Sequence, residues 1–100
     1  MRLKLKGVVL MGRGVGMPPE QCRAAQAKLE RAKQRRHGLV RELTEDEAKL
    51  ALLRAEENPD AAAVEAQERV VALDRRVLEA AEEEVSGLED LVHALCDDLP

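Results

Sequence analysis

Two cysteines and two histidines are the residues best suited to chemistry in this chain. Cys22 and Cys96 stand near opposite ends of the sequence, with His93 three residues before Cys96. A disulfide needs only that folding bring two thiols into register. Zinc needs four ligands, usually with closely spaced cysteine pairs. Cys22, Cys96, His93 and the distant His37 do not provide them, so no metal is expected. No Ser-His-Asp or Cys-His arrangement is visible either, because Cys22 and His93 could meet only through the fold. The chain reads as a non-enzyme with no catalytic residue and no cofactor.

Two further motifs could carry binding. Gly12, Gly14 and Gly16 follow an apolar run and precede a helical one, the setting of a phosphate-binding loop. No Lys-Ser/Thr pair follows, and the Gly-x-Gly-x-x-Gly spacing fails at Met17, so a flexible turn is the better reading. The second motif is a basic face of Arg31, Lys33, Arg35, Arg36 and Arg41, with His37 among them. Such a cluster is the electrostatic footprint of a nucleic-acid binder. Its competing use is pairing within the chain, with Glu79, Glu82, Glu83, Glu84 and Glu89. A net charge of −4 favours the second use and leaves nucleic acid as the alternative partner.

Composition narrows the architecture that must position these residues. Of 100 residues, 15 are Leu, 15 Ala and 10 Val, while Phe, Tyr, Trp and Ile are absent. Such a core fills the narrow seam between helices but not a broad globular interior, where aromatic rings supply much of the buried area. Without aromatics there is no base-stacking platform and no interfacial belt. No run of 18 apolar residues occurs, and Gly7 to Met11 is too short for a signal-peptide core. A cytoplasmic, non-membrane protein with reduced cysteines is the expectation, with a Cys22–Cys96 bond available on oxidation.

Residues 2–11 alternate Leu3 and Leu5 with basic residues and end in Val8 and Val9, which predicts a short strand or extended segment. The N-terminal segment 1–18 therefore precedes a helical domain over 19–100. Pro19 and Glu20 suit a helix start. The first arm runs to Glu57. Asn58 then caps a second arm, with Pro59 at its first position, that continues to about Asp98. The fold class is all-α: an antiparallel, coiled-coil-like helical hairpin that completes a bundle by self-association. An alternative breaks the arms near Gly38 and Ser86, because Thr44 with Glu47 and Ser86 with Glu89 each fit a capping box.

Folded at Asn58–Pro59, opposed residue numbers add to about 117, and apolar positions meet over most of the length. The predicted seam is Ala25, Leu29, Ala32, Leu43, Leu50 and Leu53 in the first arm, with Arg36 and Asp46 or Glu47 interrupting. In the second arm it is Val70, Leu73, Val77, Ala81, Val85, Leu88, Val92 and Leu95. Steps of four around Leu73, Val77, Ala81 and Val85 resemble a stutter, which relaxes supercoiling locally. Leu52, Val71, Leu78 and Leu91 are left over as a self-association face. Residues 1–41 hold eleven Lys or Arg and two acids, whereas residues 42–100 hold five and eighteen. In a hairpin the basic part of one arm covers the acidic part of the other, which disfavours parallel self-pairing.

Gly12–Arg13 after a strand, then Pro18–Pro19–Glu20–Gln21 opening a helix, resembles the start of ZapA-type proteins, which also end in a coiled coil. The resemblance spans about ten residues. The spacer here is short and glycine-rich where that family has a second strand. It implies, as a minor alternative, an oligomer associated with the bacterial division ring. The main expectation is a structural or adaptor protein whose partners are itself and another protein.

Overall fold

From Pro19 onward the chain is dominated by Ala, Leu, Glu, Arg and Gln, which lose little side-chain freedom in a helix. The computed structural model describes residues 19–97. Helix α1 spans Pro19–Arg54 and helix α2 spans Ala61–Val92, which passes into one wide π-type turn at His93–Asp97. Among the described residues there is no strand, and the two helices pack as an all-α hairpin. The segment expected over 1–18, with its strand and its glycines, lies outside the described residues.

Both helices run unbroken through the expected weak points at Gly38 and Ser86. Thr44 does not cap a new helix. Its hydroxyl donates to the Val40 carbonyl at 3.0 Å, one turn back, which keeps it inside α1. The corner also differs from expectation. The Ala55 amide closes α1 onto the Ala51 and Leu52 carbonyls at 3.0 and 3.2 Å. The cap of α2 is Asp60 rather than Asn58: its carboxylate accepts from the Ala62 and Ala63 amides at 3.0 and 3.3 Å. Asn58 and Pro59 belong to the turn before it. Asp60 supplies the side-chain acceptor that the first helical amides need, and its negative charge suits the positive end of the helix.

The chain divides into two compact units, residues 32–85 and the residues on either side of them in sequence. In the 32–85 unit, Ala32, Leu50, Val71, Ala81 and Val85 are buried. Arg36, Leu39, Leu43, Asp46 and Leu53 of α1 are half-buried, as are Val64, Asp74 and Leu78 of α2, while Gln67 is buried. These positions alternate steps of three and four without interruption on both helices, the spacing of a coiled-coil seam. In the other unit Cys22 and Ala25 are buried, and Leu29, Leu88, Val92 and Leu95 are half-buried.

The seam of α2 corrects the sequence reading. Val70, Leu73 and Val77 are not in it: they are 41, 55 and 42% exposed. Their places are taken by Val71, Asp74 and Leu78. Two of these, Val71 and Leu78, had been assigned to the self-association face. The physical reason is phase. Counting back from Val85 and Ala81 in regular steps gives Leu78, Asp74, Val71 and Gln67. Reaching Val77 and Leu73 instead needs successive steps of four. The helix keeps its regular register and accepts two polar residues in the seam, so the expected stutter does not occur.

Candidate interaction surface

Side chains flanking a two-helix seam divide into two sides. On one side Arg54 of α1 donates to the Glu68 carboxylate of α2 at 2.6 Å, and Arg75 of α2 to the Glu47 carboxylate of α1 at 2.8 Å. On the other side Arg35 pairs with Glu84. All six side chains are about half exposed. Pairs of this kind are each worth about 0–1 kcal/mol, so their role is register and orientation more than stability.

The two sides differ in what lies beyond the ion pairs. In the 32–85 unit, residues one position before each seam residue of α2 form a second apolar stripe: Ala63, Ala66, Val70, Leu73, Val77 and Ala80. On α1 the same flank carries Leu52, which is 71% exposed. Thus Leu52, Val70, Leu73 and Val77 share one flank, and among the large exposed apolar residues described in this unit Val40 lies elsewhere. The opposite flank of α2 carries Glu68, Arg75, Glu82 and Glu89. A surface with its apolar residues on one side is the amphipathic pattern of a helical interface. Of the residues expected on a self-association face, Leu52 and Leu91 are exposed, whereas Val71 is buried and Leu78 half-buried.

The basic run does not form one face. Arg36 sits in the seam, Lys33 and Arg35 flank it on opposite sides, and Arg31 and Arg41 point outward. Arg35 is engaged by Glu84. Residues spread over 31–41 cover three helical turns and wrap the cylinder, so closeness in sequence does not become a patch. A shallow open depression beside Gly38 is lined by Arg35, Leu39, Arg41, Glu42 and Glu45 of α1, with both signs of charge. Among the described residues, no group of three or more His, Cys, Asp or Glu is placed to hold a metal ion.

The polar residues inside the 32–85 seam have specific partners. Gln67 donates through its side-chain amide to the Asp46 carbonyl at 3.0 Å. Asp74 stands near the Asp46 carboxyl, and one of its oxygens, Oδ2, is buried with no partner. Its pKa is pushed up to about 6, first by a hydrogen bond shared with the Asp46 carboxyl, then by desolvation and by the negative charges of Asp46 and Glu42. Two carboxyls can share such a bond only while one of them holds a proton. The sequence reading takes Asp46 or Glu47 as an interruption and leaves Asp74 or Leu73 opposite Leu43; the regular three-four count from Val85 selects Asp74.

At the termini of the described chain, Cys22 and Cys96 are disulfide-bonded, with 5.1 Å between their Cα atoms, where the reduced form had been expected. Regular α-helix would place Leu95 opposite Cys22 and turn Cys96 about 100° away. The wide turn at His93–Asp97 underwinds the backbone and brings Cys96 toward the seam. His93, in the same turn, pairs with Asp97. That hydrogen bond and charge, with Asp90 and Glu89 nearby, raise the His93 pKa above its usual value. His93 is exposed, and its pairing is local to its own turn.

No helix among the described residues is long and apolar enough to cross a membrane. No family model matches the chain, and no curated protein or solved structure matches it.

Proposed function

We propose that this is a non-enzymatic structural or adaptor protein that works through helix-mediated self-association and protein binding. One observation carries the reading: Leu52, Val70, Leu73 and Val77 stand exposed on a single flank of the 32–85 unit, while the opposite flank of α2 there carries Glu68, Arg75 and Glu82. A chain of this size with so narrow a core gains most by covering that flank with another helix. A homodimeric four-helix bundle is the simplest product. The cytoplasmic location suggested by the sequence goes with the thiol form of Cys22 and Cys96, since cytosolic cysteines are kept reduced. The reading holds with either form, because the flank does not include the cysteines.

Sedimentation equilibrium at several loading concentrations tests it. The expected result is a mass that rises from one chain toward two as concentration increases. A chain that stays strictly monomeric, with a cooperative thermal melt, removes the basis of the proposal.

A further inference from the structure

We propose that two copies pair antiparallel through α2, outer stripe on outer stripe, in the register where facing residue numbers add to about 157. This rests on the self-association reading and specifies its face and direction. The stripe repeats in steps of three and four, as a second seam must. It lies about one residue, or 100°, around α2 from the seam with α1, close to the right angle at which a helix in a four-helix bundle meets its second neighbour.

Charge selects the direction. The outer edge of the stripe carries Arg69 and Arg76 in its first half and Glu83 in its second. A parallel pair would set Arg76 beside Ala81 of the other copy, with no opposite charge. An antiparallel pair in the proposed register sets Arg76 against Glu83, twice by symmetry. Sliding by one heptad loses this: Arg76 then faces its own copy across the axis. Sliding by two heptads sets Arg69 against Arg76. Among the described residues Arg76 and Glu83 have no ion-pair partner in their own chain, so they are available.

Shape agrees with charge. In this register Val77 meets Ala80 near the axis, a larger side chain against a smaller one. Leu73 faces Glu84, whose carboxylate is drawn aside to Arg35.

The test uses the full chain at low salt in sedimentation equilibrium. Leu73→Glu should raise the dimer Kd about a hundredfold, since two exposed leucines lose their cover, while leaving the thermal melt of the hairpin intact. Arg76→Glu and Glu83→Arg should each raise Kd about tenfold, and the double exchange should restore it to within about twofold of the parent. Only the proposed register gives that rescue. A wild-type chain that dimerises but ignores all three substitutions, or a double variant weaker than either single, overturns the face or register and leaves self-association standing. Capture of the flank by residues 1–18 would appear as a monomer in which their deletion creates the dimer, and overturns both proposals.

Discussion

The two compact units use opposite means to keep two helices together. The unit holding both ends of the described chain has a short seam of Ala25, Leu29, Leu88, Val92 and Leu95, closed by the Cys22–Cys96 bond. The 32–85 unit has no covalent tie. It has the longer seam, but Arg36, Asp46, Gln67 and Asp74 lie in it, and it carries the three interhelical ion pairs. Apolar contact with a covalent staple is insensitive to pH and salt and sensitive to reductant. A seam with carboxyls in it and charges at its edges is the reverse. One pattern of spacing is thus stabilised by different physics in each unit.

Reduction should separate the units most clearly. The bond closes a loop between residues 74 apart in sequence, and a loop of that length is worth about 4 kcal/mol through restriction of the unfolded chain. Reductant, or Cys22→Ala with Cys96→Ala, should lower Tm by about 10 °C or more. In hydrogen exchange, residues 19–31 and 86–97 should lose protection first. Equal loss in 32–85 would show that the staple supports the whole fold and that the contrast is one of appearance.

Asp74 gives the next largest effect. Its folded-state pKa, about 6, lies above the ordinary carboxyl value of 3.8. The folded chain therefore holds a proton that the unfolded chain has already lost between those values. This contribution is fully present below about pH 4, and is lost as pH rises through 6. With allowance for its partial exposure, the loss is about 1–2 kcal/mol. The Asp74 contribution is read as a difference between variants. Asp74→Asn should flatten the pH 4–8 stability profile relative to wild type in urea melts. Asp74→Leu should be more stable than wild type at pH 8 by about 1–2 kcal/mol, with less gain at pH 4. Identical profiles for all three chains would mean that Asp74 titrates as an ordinary surface acid.

The same contrast explains what the sequence made legible. The hairpin, its corner near Pro59 and the pairing total near 117 follow from helix formers interrupted once and from matched apolar spacing. In the stapled unit Ala25 and Leu29, and Leu88, Val92 and Leu95, continue the spacing of their helices with apolar residues at every step, and they could be read directly. In the first half of α2, two stripes lie one residue apart, Val70–Leu73–Val77 and Val71–Asp74–Leu78. Apolarity alone chooses the first, and helix phase chooses the second. Asp60 was hidden because Asn58–Pro59 is itself a good cap sequence. The cysteines' pairing depended on a wide turn that no residue in His93–Asp97 announces. What composition encodes was readable; what depends on cumulative rotation along a helix was not.

The smallest expected effect lies in the ion pairs, and it sharpens the comparison because it sets the scale of edge charge against seam charge. Arg54–Glu68 and Glu47–Arg75 lie on the same flank, with their side chains 42–61% exposed. Water and salt screen such pairs, and holding two long side chains together costs rotamer freedom. A double-mutant cycle on Arg54→Ala and Glu68→Ala should therefore give a coupling of about 0.5 kcal/mol at low ionic strength, falling toward zero in about 1 M salt. The Asp74 effect should change less over the same salt range, because the acid is partly shielded from solvent by the seam. If the Arg54–Glu68 coupling instead exceeded the Asp74 effect, edge charge rather than seam polarity would dominate the electrostatics of residues 32–85.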